Sequence, residues 1–566
     1  MKRRLLALLL AACMVFSLAA CTPGGNSKAA SNTPSNTPAD NSETAKPEQD
    51  DMLSIIRMTE DWPTYFDPAV GSDFSDSITL INIYDPLVFP QTDGSAAPHI
   101  AKEWTISEDG LTYTFKIRDD VKFHSGNLLK ASDVAFSMNR MLAIGEGYAY
   151  LYKGVVKEAA ATDDTTVVMK LEKPFGPFIS SLIRFMIVEE NLVMEHLDKN
   201  TNTYGEFGDY GKQWLLTHDA GSGPYIAKEV KLEEYVLGEI FEEYFLGWEE
   251  NAPKYFKLSG AIEPVSVRTA MANKELEITD EIQPLENYNT MDTFEGVDVI
   301  AYESGTNMNL CLNTQKAPTD DIHFRKAMAY AFDYDTVLQQ IYPGAKRSYG
   351  TIPGILPGAN RDIVPYEYNL EKAKEELAKS KYANDSSKWN ITMSWCAEVP
   401  EQEKIALLMQ ANLDALGIKI EITKKPFGSM IADAQTVETT PNASLVNNSP
   451  SYFEAGAMLK TRYHSSSCGT WEQMEWLQND EVDAMIEDAL ATTDREERME
   501  KYKKIQVVIN DLCPTLWLFD WVEKRACQVG YVDWNPYIFL KEGKSFVYPM
   551  GYSLYVRNMK VYPEKR

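Results

Sequence analysis

Between Glu403 and Ile422 the apolar period of the chain changes from helical to extended across a single glycine. In "EKIALLMQANLDALGIKIEI", Ile405, Met409, Leu413 and Leu416 fall on one helix face, Gly417 stops the helix, and Ile418, Ile420 and Ile422 alternate as a strand. A helix feeding a short strand is an α/β unit, and the pattern after residue 300 repeats this theme. Leu370 to Ser380 reads as a helix entered after Asn369 and supported by Glu371 with Lys374 and Glu375 with Lys379. Thr493-Asp494-Arg495-Glu496 is a capping-box pattern before a long helix carrying Met499, Tyr502, Ile505, Ile509 and Leu512, and Pro514 marks its end.

The earlier part of the chain is patterned differently. In "AKEWTISEDGLTYTFKIR", Lys102, Trp104 and Ile106 alternate, Asp109-Gly110 breaks the run, and Leu111, Tyr113, Phe115 and Ile117 resume it, which predicts a hairpin with one apolar face. Thr166 to Leu171, after Asp163-Asp164, is a further strand, so this segment reads as a small, largely antiparallel domain. Residues 52–566 suffice for about three domains at roughly 150 residues each.

The amino terminus gives an address. Lys2, Arg3 and Arg4 precede an apolar run from Leu5 to Leu18, which is too short for a mature membrane helix and suits a secretory signal. It ends in Leu18-Ala19-Ala20-Cys21, the order of a bacterial lipoprotein signal, with Cys21 as the lipidated residue. From Thr22 to Asp51 there is no Val, Ile, Leu, Phe, Tyr or Trp, so residues 21–51 read as a lipid-bearing cysteine and a disordered tether. Loss of residues 1–20 takes three cations from a formal net charge of −28 and leaves −31, which argues against a nucleic-acid partner. Beyond Cys13 and Cys21 only Cys311, Cys396, Cys468, Cys513 and Cys527 remain, without CxxC spacing. At most two disulfides are expected, and no structural zinc.

The sequence contains no GxxxxGK(S/T), GxSxG or HExxH pattern, and its six histidines are isolated from one another. Asp119-Asp120 and Asp320-Asp321 read as caps and solvated charges rather than acid/base couples. "GSGPY", Gly221 to Tyr225, lacks the lysine and following helix of a phosphate cradle and reads as a tight turn into a strand. No cofactor, metal or catalytic residue is assigned. The 30 Tyr and 11 Trp suit a polar ligand gripped by stacking and a few hydrogen bonds.

Several stretches together resemble the extracellular solute-binding proteins of ABC importers, in the dipeptide, oligopeptide and nickel group (solute-binding protein family 5). They are "IYDPLVFPQTDGSAAPHIAKEWTISEDGLTYTFKIRDDVKFHSGNLLKASDVAFSMNRM", "GSGPYIAKEV", "NLCLNTQKAPTDDIHFRKAMAYAFDYDTVLQQIYPG" and "TTDREERMEKYKKIQVVINDLCPTLWLF". The resemblance runs in order through nearly all of 52–566. It implies an α/β, two-lobed periplasmic-binding-protein-like fold of cluster C type with an additional small α+β domain. Lobe I is then expected at 52–81, 221–300 and 513–566, the small domain at 82–220 and lobe II at 301–512. A monomeric receptor would close on a small-molecule or peptide ligand and deliver it to a membrane permease from the extracytoplasmic face of the cell membrane. The competing class is a surface lipoprotein hydrolase.

In peptide-binding relatives a lobe II loop carries an Asp-Tyr-x-acid-Pro pattern whose Asp holds the ligand ammonium group. The matching stretch here is "NNSPSYFEA", in which Ser451 takes the place of that Asp. A buried ammonium without its counter-charge costs roughly 3–5 kcal/mol, so the usual amine clamp is not expected. Asn447, Asn448, Ser449, Ser451 and Tyr452 suit a hydroxyl- or amide-rich solute such as an oligosaccharide, with Glu454 or Asp61 able to supply a displaced carboxylate. Glu60, Asp61, Trp62 and Tyr65, in "TEDWPTYFDP", are the expected contacts from lobe I.

Overall fold

The computed structural model describes residues 53–61, 64–260 and 263–566. Two long strands, Asp298–Leu312 and Thr515–Cys527, pair antiparallel from Asp298 opposite Cys527 to Cys311 opposite Thr515. Bulges interrupt this ribbon between Glu303 and Asn307 and again at Met308/Asn309. An extra residue on one strand bends and twists a pair, so the ribbon changes direction there.

One end of the ribbon lies inside a six-stranded sheet in the order Lys346–Arg347, Thr515–Cys527, Asp298–Leu312, Ala443–Asn448, Asn390–Cys396, Lys419–Lys425. The last two strands run parallel, and parallel neighbours need a crossover, which helix Glu401–Asp414 provides. Ile405, Met409 and Leu413 are buried on the face predicted, and Gly417 takes φ +81, a conformation that glycine adopts without a Cβ clash. The other end of the ribbon meets a four-stranded sheet, in the order Ile55–Glu60, Tyr255–Gly260, Tyr235–Ile240, Tyr225–Lys231, through single bridges of Ile278 to Met58 and to Cys527. The strand begun by "GSGPY" passes so close to residue 83 that a Cβ on Gly221 or Gly223 would stand 2.2 or 2.5 Å from the Ile83 backbone.

A third sheet, in the order Ala101–Ile106, Thr112–Ile117, Thr166–Leu171, Val156–Asp163, is antiparallel and packs against helix Ala131–Ile144. Its hairpin forms as the alternation predicts on the second strand, where Tyr113, Phe115 and Ile117 are buried. The first strand departs from the prediction. A bulge between Ala101 and Glu103 shifts its register, and Ile106 stays 45% exposed. Smaller differences occur at helix termini. Asp494, not Thr493, caps helix Arg495–Leu512 by accepting from the Glu497 amide at 2.8 Å, because the chain turns one residue later. Lys379 pairs with Glu376, three residues before it, rather than Glu375. Among the described residues Cys311, Cys396, Cys468, Cys513 and Cys527 are free thiols, and no helix is long and apolar enough to cross a membrane.

Candidate functional site

Where the ribbon leaves the six-stranded sheet, Tyr302 lies directly opposite Glu523. Tyr302, Ser304 and Thr306 on one strand, with Trp521 and Glu523 on the other, line a cavity of about 150 Å³. Glu281 and Ile282, just after the Ile278 bridge, form one side. Asn447, Ser449 and Pro450, at the end of strand Ala443–Asn448, form the facing side. Walls from both ends of the ribbon therefore enclose it. A second cavity, about 140 Å³, shares Glu281, Ile282 and Trp521 with the first. Its walls are aromatic and aliphatic, from Phe519, Tyr342, Ile341 and Leu285, and also carry Glu398, Glu401 and Lys404.

The charge at this place is one-sided. Arg525 is fully buried, and its guanidinium donates to Glu523 at 2.6 Å, Glu60 at 2.7 Å, Glu281 at 2.6 Å and the Thr279 carbonyl at 2.8 Å. Three carboxylates share one cation. Asp280 is buried beside them and accepts from Gln283 at 2.8 Å and from the Thr59 hydroxyl at 3.2 Å. Burial, then the neighbouring Glu281, holds the Glu60 carboxyl well above the ordinary carboxylate range despite Arg525. Burial pushes Glu281 up to about 7, with Arg525 opposing and the Glu523 and Asp280 charges adding to the rise. Asp61 keeps an open face, yet desolvation by the surrounding chain and the carboxylates of Asp73, Asp280 and Glu398 push it up as well.

The residues expected from sequence divide. Glu60 is in the Arg525 cluster, and Asn447 and Ser449 line the first cavity, the latter bonded to the Thr306 hydroxyl at 2.7 Å. Tyr65 is 44% exposed, and its amide donates to Asp76 at 2.9 Å; it lines neither cavity. Trp62 lies outside the described residues, as does Cys21. Asn448, Ser451, Tyr452 and Glu454 line neither cavity. Strand alternation that turns Asn447 toward the cavity turns Asn448 behind it, onto Asn309 at 3.1 Å. After Pro450 the chain dives toward helix Ala455–Tyr463. The Ser451 carbonyl is held by Arg184 Nε at 2.8 Å, and Tyr452 is buried edge-on against Phe175. Glu454 is closed in a bidentate pair with Arg498, at 2.8 and 3.0 Å, with Tyr502 donating at 3.1 Å.

Sequence reading missed Glu281, Trp521, Glu523 and Arg525. A signal existed in "FDWVEKR", where aromatic and charged residues alternate within a strand otherwise made of core residues.

A profile of the bacterial extracellular solute-binding proteins, family 5, middle region, matches residues 95–469. The chain belongs to this family. Its relatives include the probable D,D-dipeptide-binding periplasmic protein DdpA of Escherichia coli, 28% identical over 480 residues that cover 83% of this chain and 88% of that one. The heme-binding protein A of Haemophilus influenzae is 26% identical, with 89% and 91% covered. Among solved structures, the Helicobacter pylori periplasmic binding protein DppA in complex with the peptide STSA superposes with a TM-score of 0.74 at 22% identity, covering 90% of this chain and 98% of that one. The Listeria monocytogenes substrate-binding protein CtaP gives 0.75 at 22% identity, with 90% and 99% covered. This family 5 protein thus has the two-lobed α/β fold of periplasmic binding proteins and the role of binding a solute.

Proposed function

We propose that this chain is the substrate-binding component of an ABC importer, enclosing a peptide or peptide-like solute between its lobes and passing it to a membrane permease without chemical change. The observation that carries this reading is the pair of neighbouring cavities that share Glu281, Ile282 and Trp521 beside the two long strands, with walls drawn from both ends of the ribbon. Peptides are favoured because relatives named for dipeptides, and a solved neighbour holding STSA, belong to the same group. Lobe I is assigned to 52–81, 221–300 and 513–566 and lobe II to 301–512, so that the division at 300/301 falls within strand Asp298–Leu312 and the division at 512/513 just before strand Thr515–Cys527. The small domain is assigned to 82–220. Lipid on Cys21 and the tether to residue 51 would hold a monomeric receptor at the extracytoplasmic face.

An oligosaccharide is the second reading, favoured by the neutral side made of Thr306, Asn447 and Ser449. Native mass spectrometry of the mature protein purified from its own host separates the two: a co-purifying peptide mass supports the first, a hexose ladder the second, and a hydrolysed product would reverse the assignment to a receptor. Cys21→Ala is expected to release a folded protein from the membrane fraction, and unchanged retention would remove the lipoprotein assignment.

A further inference from the structure

We infer that the solute carries a cationic group, an α-ammonium or a Lys or Arg side chain, and that Glu281 and Glu523 receive it in the first cavity beside Trp521. This deepens the peptide reading and rests on it. Glu60, Asp280, Glu281 and Glu523 stand against the single buried guanidinium of Arg525, and among the described residues no Lys, Arg or His lines the cavity into which Glu281 and Glu523 face. Carboxylates removed from water without enough counter-charge hold protons or attract cations.

An independent observation points the same way. Ser304, Thr306, Asn447 and Ser449 line the same cavity with neutral side chains that can accept hydrogen bonds from N–H donors. The Trp521 indole lines both cavities, so a cation in the first has an aromatic ring as neighbour and an adjoining side chain in the second has apolar surface. The family-like position for an ammonium clamp, Ser451, lines neither cavity, and its backbone carbonyl is held by Arg184. The counter-charge has thus moved from the loop to the ribbon and the segment after Ile278.

A cation entering here displaces protons. Glu281 stands beside Glu60, Asp280, Glu523, Arg525 and Tyr288, shares the second cavity with Glu286, Glu398, Glu401, Lys404 and Lys524, and titrates near neutrality. Affinity for a Lys- or Arg-bearing ligand therefore rises between pH 6 and 8 as the carboxyl loses its proton. An α-ammonium itself titrates at about 7.7–8.0, so side-chain cations give the cleaner measurement.

The test uses the mature full chain, freed of co-purified ligand, and three tripeptide libraries read by native mass spectrometry: free-amine, N-acetylated with Lys or Arg, and N-acetylated from neutral residues only. Retention of the first two and not the third is expected, with proton release on binding in calorimetry across buffers of different ionisation enthalpy. Glu281→Gln and Glu523→Gln should each weaken cationic ligands by roughly 30-fold or more, the usual consequence of removing one partner from a buried charge pair. Equal retention of the neutral library overturns the inference and leaves the peptide reading standing. Retention from none of the three overturns the peptide reading itself. A cationic preference that survives in both variants overturns the assignment to these residues. If either variant fails to fold, the pH dependence and proton release of the unaltered protein still decide, and their absence counts against the inference.

Discussion

Two buried arginines in this molecule are surrounded in opposite ways. Arg498 meets one carboxylate, Glu454, in a bidentate pair completed by Tyr502 and by the Thr492 and Thr493 carbonyls. Arg525 meets three carboxylates, with a fourth alongside. The first arrangement is neutral and closed, and it fixes the loop after Pro450 to the helix Arg495–Leu512. The second gathers more carboxyl groups than cations, so that some of them keep their protons, and it borders a cavity. A matched buried pair belongs to the framework, whereas a mismatched one at a cleft awaits a partner from outside the chain.

Breaking the matched pair should have the largest effect. Glu454→Ala leaves the Arg498 charge buried and unpaired and is expected to destabilise by about 3–5 kcal/mol in denaturant unfolding. The affinity of the folded fraction should not change. A large loss of affinity at equal folding would put Glu454 back among the ligand contacts.

The mismatched cluster should behave in the opposite sense. The Glu281 carboxyl is raised in the folded state, so the native protein binds more protons than the unfolded chain between the ordinary glutamate range and about pH 7. Stability of the ligand-free protein therefore falls as pH rises through that window. Glu281→Gln keeps two carboxylates on Arg525 and removes the repulsion. It should flatten the dependence and raise ligand-free stability at pH 8 by on the order of 1 kcal/mol, one pKa unit being worth about 1.4. Thermal unfolding at pH 5 and pH 8 reads this directly, and a variant less stable than the parent at both values would make Glu281 an ordinary framework residue.

The smallest effect is expected at Ser451. Its hydroxyl is buried without a partner, and Arg184 beside it has two unpartnered guanidinium nitrogens. Ser451→Asp should gain stability through Arg184 and leave peptide affinity unchanged, because the side chain lines neither cavity. Tighter binding of free-amine peptides would restore the loop as the clamp.

These contrasts mark how far the sequence could be read. The α/β unit ending at Gly417 and the second strand of the hairpin are local patterns whose periods survive in the fold. Glu60 ends strand Ile55–Glu60, and Asn447 and Ser449 lie at the end of strand Ala443–Asn448, in a stretch that was singled out by its likeness to a family loop and not by any period of its own. Asn448, Tyr452 and Glu454 fall outside the two cavities because alternation turns every second residue to the other face and an irregular loop has no period to follow. The Arg525 cluster was invisible for a different reason. It assembles positions 60, 280, 281, 523 and 525, and a bulge interrupts the pattern of the strand that supplies two of them.

The paired strands 298–312 and 515–527 also bear on where a solute would first be touched. Asn447 pairs with Met308 on this ribbon and the Ser449 hydroxyl bonds to that of Thr306, so the neutral wall of the cavity is held to the same two strands as Tyr302, Trp521 and Glu523. A hinge motion at the ribbon would leave these walls close to its axis, where displacements are smallest, so this part of the cleft would stand assembled before the jaws meet and after they part.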